Sequence, residues 1–303
     1  MAKECYKPKK FKPESLQVIE TANDILEEYE AQGFDLTLRQ LYYQFVARDL
    51  IENTMKSYNR LGSIVNDARL AGLIDWDRIE DRTRSLSSNP HWAHPANLVG
   101  KCAKWFQVDK WQRQPIRLEV WIEKEALAGV IEGVCTQNDV PFFCCRGYTS
   151  QSEMYKAADR MKFYNLERQQ VVILHLGDHD PSGIDMTRDI EDRLCLFEVP
   201  RVTVKRLALN MEQVEEYGPP PNPAKLTDSR AENYIWEYGN SSWELDALEP
   251  RVIISLIQSE IDLYRDDVKW KESVWWEDQY KDELNIVVSN WRSIMETYEG
   301  GKA

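Results

Sequence analysis

From Arg117 onward, the chain alternates between short apolar runs of strand length and longer runs of helix length. Predicted strands cover residues 117–123, 140–145, 170–177 and 201–209, and predicted helices cover residues 124–137, 150–164 and 183–197. Strands that alternate with helices at this rhythm form a parallel sheet with helical crossovers. We therefore expect an α/β fold with a parallel-rich sheet here, in which ligands bind at the carboxyl ends of the strands.

The first hundred residues have a different pattern and are predicted to be helical. Residues 13–33 have helical apolar spacing, Thr37 and Gln40 have the spacing of a capping box, and residues 54–72 form a further amphipathic stretch. Residues 74–84 can form a wing, and residues 85–95 have the composition of a linker. We expect a winged helix-turn-helix domain over 1–100, and a second domain over 101–303 that ends in acidic, Trp-rich helices.

Charge is distributed unevenly along the chain, whose net charge is −13. Up to Arg117 there are 18 Lys and Arg against 16 Asp and Glu, and the remainder has 20 against 35. The acidic excess therefore lies outside the N-terminal module, which is compatible with DNA binding by that module, although a solvated acidic surface is equally ordinary. Lys56, Arg60 and Arg69 on the 54–72 helix are candidates for nucleic-acid contact, and a plain solvated helix face is the alternative.

Other bulk features predict a cytoplasmic protein. The chain has no run of about 18 apolar residues, so we expect no transmembrane helix. Its six cysteines show no CxxC spacing, which is typical of reduced thiols. In a bacterial or archaeal cell, a DNA-binding protein of this kind is expected to associate with the nucleoid.

Acidic residues follow two of the predicted strands. Glu123 ends the first strand, and Asp178 and Asp180 lie just past the third. Adjacent parallel strands lie about 4.8 Å apart, so the three carboxylates can form an oxygen-ligand site for Mg²⁺, or for Mn²⁺. The alternative is a helix N-cap plus a surface acid. His179, between the aspartates, is expected to be a solvent-facing loop residue rather than a proton donor.

Three motifs carry a resemblance to a known family. The segments VWIEKEAL, CCRGYTS and HLGDHDPSGIDM resemble the Toprim domain, a Rossmann-like fold, of the DNA-cleaving subunit of topoisomerase VI and of the related meiotic double-strand-break transesterase. The resemblance covers roughly residues 117–209, and its DxDPxG part is fairly specific. Gly147 and Tyr148 match the middle motif, whereas Thr149 stands where the family often has Pro. The resemblance implies that Glu123, Asp178 and Asp180 bind Mg²⁺.

The same family has a catalytic tyrosine in an R-x-x-YY context on its winged-helix domain. The match here is Arg39-Gln40-Leu41-Tyr42-Tyr43, which implies that Tyr43 is the nucleophile. On a helical wheel, Tyr43 lies about 140° from Leu38, and Arg39 lies one turn before it. We expect Tyr42 in the core and the Tyr43 hydroxyl available beside a cation. The alternative for Tyr43 is an edge-of-core aromatic residue.

The resemblance implies a type IIB DNA topoisomerase-like enzyme that cleaves DNA through a 5′-phosphotyrosyl intermediate. It also implies a homodimer, in which the tyrosine of one protomer meets the metal of the other, and a separate GHKL-type ATPase subunit. Two further functions stay open. One is a Toprim nuclease that hydrolyses DNA or RNA without a covalent intermediate, and the other is a non-catalytic DNA-binding or scaffold protein.

Overall fold

The computed structural model describes residues 3–33, 35–79 and 89–300. Its N-terminal part contains α1 (Pro13–Glu30), α2 (Leu38–Ala47) and α3 (Met55–Leu70). Local sequence explains where each helix begins. Pro13 occupies the first turn of α1, where its missing N–H costs nothing. Thr37 and Gln40 form the expected capping box of α2, and the Thr54 hydroxyl accepts from the Ser57 N–H to cap α3.

These helices share one apolar core. Its fully buried members come from all three helices and include Ile25, Leu41, Phe45, Leu61 and Val65. After α3, Ile74 is buried, and Ile79 pairs with Leu36 in an isolated parallel bridge. Residues 80–84 of the expected wing and residues 85–88 of the expected linker lie outside the described residues.

Helix α4 (Pro95–Trp105) spans the domain boundary that the sequence suggested at residue 100. It packs against α11 (Asp267–Ser289) near the end of the chain. Phe106, which ends the helix, meets Tyr280 edge-on with ring centroids 5.8 Å apart. In the structure, α4 therefore contacts the C-terminal part.

The predicted alternation of strands and helices is confirmed. The sheet that the described residues form has four parallel strands in the order β2–β1–β3–β4, namely β1 (Ile116–Ile122), β2 (Phe142–Cys144), β3 (Gln170–Leu176) and β4 (Val202–Ala208). The crossovers are α5 (Ala128–Gln137), α6 (Gln151–Leu166) and α7 (Pro181–Leu196), and a 3-10 turn, Glu125–Leu127, precedes α5. The last residues of the two central strands, Ile122 and Leu176, are register partners.

Both faces of the sheet are covered. Val172, Leu174 and Leu176 of β3 join a core with α5 and α10 (Pro250–Tyr264), while Val171 and Ile173 join one with α6 and α7. Burial on both faces explains why the strands are continuously apolar. The helices on the two faces do not cover the carboxyl ends of the strands, and the acidic residues lie at these ends.

Between β4 and α10 the chain returns over the carboxyl ends of the strands. This connection comprises α8 (Met211–Tyr217), β5 (Asn222–Pro223), α9 (Ala231–Tyr238), β6 (Ser241–Ser242) and a 3-10 turn, Leu245–Ala247. Beyond α11 the last described helix is α12 (Trp291–Gly300). Within the described ranges, no helix is both long and apolar enough to cross a bilayer.

Candidate active site at the strand ends

Glu123 and Asp178 lie side by side at the ends of β1 and β3. The Glu123 N–H donates to the carbonyl of Leu176 at 2.9 Å, which continues the ladder between the two strands. The Glu123 carboxylate in turn accepts from the Asp178 N–H at 2.9 Å. Burial raises the pKa of the Glu123 carboxyl, and Asp180 raises it further. The predicted approach of the two strand ends is therefore present.

Asp178 is buried and held by two donors. Its Oδ1 accepts from the Leu245 N–H at 2.8 Å and lies 2.9 Å from the Lys124 ammonium. Burial raises the pKa of the Asp178 carboxyl well above its usual range, and nearby Glu123 and Asp246 add to the rise, although Lys124 opposes it. A second cation at this position would relieve that repulsion.

Asp180 has the role that the helix-cap alternative described. It is the N-cap of α7, where its Oδ1 accepts from the Gly183 N–H at 2.6 Å and from the Ser182 hydroxyl at 2.9 Å. The glycine of the DxDPxG motif is required by packing, since a Cβ at Gly183 would overlap the carbonyl oxygen of Asp178. The motif thus folds the loop back onto itself at the helix start.

The three carboxylates suit Mg²⁺ in kind, but their arrangement does not form a finished metal site. Hard oxygen ligands at strand ends are what Mg²⁺ prefers, and burial raises the pKa of Glu123 and Asp178 because it makes their ionised forms costly. Asp178 is nevertheless paired with Lys124, and Asp180 caps a helix. The part of the chain that the structure describes contains no group of three acidic, His or Cys side chains placed to share an ion.

Arg206 of β4 stabilises the loop that follows β3 and bears Asp178 and Asp180. Its guanidinium donates to the carbonyls of Gly177, Asp178, Gly183 and Leu209 at 2.7–3.3 Å. Burial lowers its pKa to about 10, and the neighbouring acids counteract the effect. Arg206 was not among the predicted site residues. The sequence pattern of a strand does not reveal that one of its cations binds the loop after the neighbouring strand.

Tyr43 is less accessible than the helical wheel suggested. The residue is only 3% exposed, and burial raises the pKa of its phenol above the ordinary value. The expectation of an openly available hydroxyl is therefore wrong, because the chain near Glu244 covers this side of α2. The expected cation is present, since Arg39 Nη2 lies 3.4 Å from the Tyr43 hydroxyl. Tyr42 is buried as expected, with its hydroxyl 2.9 Å from Asn53 Oδ1.

Two acidic residues that were not predicted as site residues connect Tyr43 to the strand-end acids. Glu244 is ion-paired to Arg39, lines the same cavity as Tyr43 and accepts from Lys124 at 2.7 Å. Asp246 lies 2.9 Å from Arg39 Nε and 3.0 Å from Lys124. Because Lys124 also binds Asp178, one ion-pair network joins α2 to the ends of β1 and β3 within a single chain.

A small cavity of about 160 Å³ gives solvent a path to this network. Arg39, Tyr43 and Glu244 line one part of it, and Asn53, Tyr58 and Asn222 line another. The cavity lies between the N-terminal helices and the β5 region, whose Asn222 Oδ1 accepts from Asn53 at 2.8 Å. A ligand reaching Tyr43 would therefore contact both parts of the chain.

The candidate nucleic-acid residues on α3 differ in their surroundings. Lys56 and Arg60 are exposed, and Arg60 lies 3.6 Å from Glu14 at the surface. Arg69 is instead used within the fold, since its guanidinium donates to the carbonyls of Trp76 and Ile79 at 2.6 and 3.2 Å. Lys56 and Arg60, unlike Arg69, therefore present their cationic ends to solvent.

His179 is buried rather than solvent-facing, contrary to expectation. Its Nδ1 lies 2.8 Å from the Tyr234 hydroxyl, and its ring meets Tyr238 and Trp243 edge-on. Burial lowers its pKa to about 4. Its backbone pairs with that of Trp243, so the loop bearing the aspartates is fastened to the segment that carries Glu244.

Comparison with known proteins adds no family assignment. No family model matches the chain, and no curated protein shows a significant match.

Proposed function

We propose that this protein cleaves DNA by Mg²⁺-dependent transesterification through Tyr43. One observation carries the proposal: Arg39, which lies beside Tyr43, and Asp178, which lies beside Glu123, belong to one ion-pair network that runs through Glu244 and Lys124. An attacking hydroxyl beside a guanidinium that can bind phosphate is the pairing that attack on a phosphodiester requires.

The product of the attack is a 5′-phosphotyrosyl link and a free 3′ hydroxyl. Glu123, Asp178 and Asp180 would hold Mg²⁺ once Asp178 turned away from Lys124, and Mn²⁺ would also suit them. The bound ion would neutralise the phosphodiester. Arg39 is 46% exposed along its side chain, so it can turn from Glu244 to a phosphate without unfolding α2. Lys56 and Arg60, both exposed on α3, would contact the DNA backbone.

The proposal includes partners. Each chain offers one nucleophile, so a double-strand break needs two chains, and we propose a homodimer on DNA. A GHKL-type ATPase subunit would be needed for strand passage, and cleavage alone does not require it. A location in the cytoplasm, on the nucleoid of a bacterial or archaeal cell, agrees with this role.

A second candidate is a metal-dependent nuclease that hydrolyses DNA or RNA with water. The burial of Tyr43 and the raised pKa of its phenol favour this candidate, since both oppose ionisation of the nucleophile. A third candidate, a non-catalytic DNA-binding or scaffold protein, is favoured by the ion pair that occupies Asp178.

Trapping with detergent tests these candidates together. Plasmid DNA is incubated with the protein and Mg²⁺, quenched with SDS and assayed for cleavage and for protein bound covalently to DNA. The transesterase predicts a covalent adduct that Tyr43→Phe abolishes and that Tyr42→Phe, the matched control on the same helix, preserves. Cleavage that survives Tyr43→Phe but not Asp178→Asn would favour the nuclease. DNA binding without cleavage would favour the third candidate.

A further inference from the structure

The proposed chemistry assigns no role to the carboxylate of Glu244, although this group lies in the site beside the proposed nucleophile. It lines the same cavity as the Tyr43 hydroxyl, and Arg39 contacts both groups, since its guanidinium is ion-paired to Glu244 and lies 3.4 Å from that hydroxyl. A nucleophile that shares a cavity with a carboxylate, which is itself oriented by other groups, is the arrangement expected of an activated nucleophile and its base. Here Arg39 and Lys124 provide the orientation.

We infer that Glu244 is the general base of the proposed transesterification and takes the phenolic proton when Tyr43 attacks phosphorus. The inference rests on the proposed function. In the step, the Tyr43 oxygen forms a bond to phosphorus as its proton passes to Glu244, and the bond from phosphorus to the 3′ oxygen breaks. The 3′ oxygen leaves with the electron pair and takes a proton from water. Glu244 returns its proton to Tyr43 when the 3′ hydroxyl reverses the reaction, or loses it to water.

The charged groups around Glu244 determine how strong a base it is. It is faced by Arg39 and Tyr43 from α2 and by Lys124 from the end of β1, and Asp246 lies two residues further along its own segment. Burial alone would raise the pKa of the Glu244 carboxyl, but Lys124 and Arg39 hold it well below its ordinary range. In this state Glu244 is ionised and a weak base.

A DNA phosphate in the cavity would change this balance. The phosphate competes with Glu244 for the guanidinium of Arg39, which prefers planar bidentate partners. Glu244 would then lose one of its two cations, and its affinity for the phenolic proton would increase. Glu244 is thus predicted to become a stronger base only when substrate is bound, because Arg39 then binds the DNA phosphate instead of the Glu244 carboxylate.

The test compares Glu244→Gln with Glu215→Gln, the same substitution at an exposed glutamate of α8, for the rate of SDS-trapped adduct on a labelled DNA duplex with Mg²⁺. Glutamine keeps the shape of the side chain but cannot take a proton. We expect Glu244→Gln to slow the adduct by roughly a hundredfold or more at neutral pH. Its rate should rise about tenfold per pH unit, since ionised phenol then forms only through hydroxide. The unchanged chain and Glu215→Gln should both have a flat profile near neutral pH.

A fluorinated tyrosine at position 43 separates a base from a residue that only positions the nucleophile. Its phenol loses the proton more easily, so it should restore much of the rate in the Glu244→Gln background. Equal rates for Glu244→Gln and the unchanged chain, or a slow variant with a flat pH profile and no rescue, would overturn the role of Glu244 as the base. Neither result would overturn the proposed function.

Two other outcomes are also decisive. If the unchanged chain forms no adduct, the proposed function falls and the role of Glu244 falls with it. If Glu244→Gln does not fold, as judged by circular dichroism, the pH profile of the unchanged chain decides. A flat profile near neutral pH supports the base, and a tenfold rise per unit overturns it.

Discussion

Lys124 is the cation on which the buried acids depend, so Lys124→Met should destabilise the protein strongly. Its side chain is 19% exposed and its ammonium lies 2.7–3.0 Å from Glu244, Asp178 and Asp246. Arg39 can still serve Glu244 and Asp246, whereas Asp178 has no other ion-pair partner among the described residues. Removing one partner of a buried pair costs about 3–5 kcal/mol, because the remaining charge stays desolvated.

Urea unfolding at two pH values measures this cost and checks its cause. Without Lys124, the folded-state pKa of Asp178 rises further above its unfolded value, so the folded state gains stability as pH falls and loses it as pH rises through that pKa. Because the pKa of Asp178 is already about 7 with Lys124 present, the deficit of Lys124→Met should be smaller at about pH 6 than at about pH 9. Added Mg²⁺ should reduce the deficit at neutral pH if the acids accept the ion.

Lys156→Met is the matched control. Lys156 is 67% exposed on α6 and pairs with Glu153 at the surface, so its removal should change stability by less than about 1 kcal/mol. Equal losses for the two variants, or a loss for Lys124→Met that is the same at both pH values, would refute the view that Lys124 neutralises buried acids.

Three other predictions concern the loop that bears the aspartates. Gly183→Ala should lower the stability by about 1–3 kcal/mol in thermal unfolding, because the new methyl group overlaps the Asp178 carbonyl; an unchanged melting temperature would contradict the packing. Arg206→Met should cost more, since each buried carbonyl left without a donor costs about 1–3 kcal/mol, and Arg206→Lys should recover only part. His179 should stay neutral down to about pH 5 in an NMR titration, because its pKa of about 4 lies below the ordinary value of about 6.5. Stability should consequently fall as pH drops from about 6.5 towards 4, and a titration near pH 6.5 would count against the burial of this ring.

Local signals in the sequence were sufficient for the helices and strands. The capping box at Thr37 and Gln40 begins α2, and the apolar runs before Glu123 and Asp178 form adjacent parallel strands. Such features depend on neighbours in sequence or on a simple topological rule. The meeting of Glu123 with Asp178 follows from the same rule, because parallel strands end at one edge.

The rest of the site depends on contacts between distant segments. A helical wheel describes one helix alone, so it could not reveal that the turn Leu245–Ala247 covers the Tyr43 side of α2. Glu244 and Asp246 appear in the sequence as ordinary acids before a helix, and their role depends on cations at positions 39 and 124. His179 is buried because Tyr234, Tyr238 and Trp243 close over it, and none of these is near it in sequence.

The separation of Arg39 from Glu244 has a consequence during protein synthesis. The two residues lie 205 positions apart, which a ribosome takes roughly 10–40 s to translate at about 5–20 residues per second. Throughout that time the N-terminal helices can fold around Tyr43 while its carboxylate partner does not yet exist. If Glu244 activates Tyr43 as proposed, a nascent chain acquires this base only after residue 244 has been translated, so activation of Tyr43 would follow the folding of the N-terminal helices.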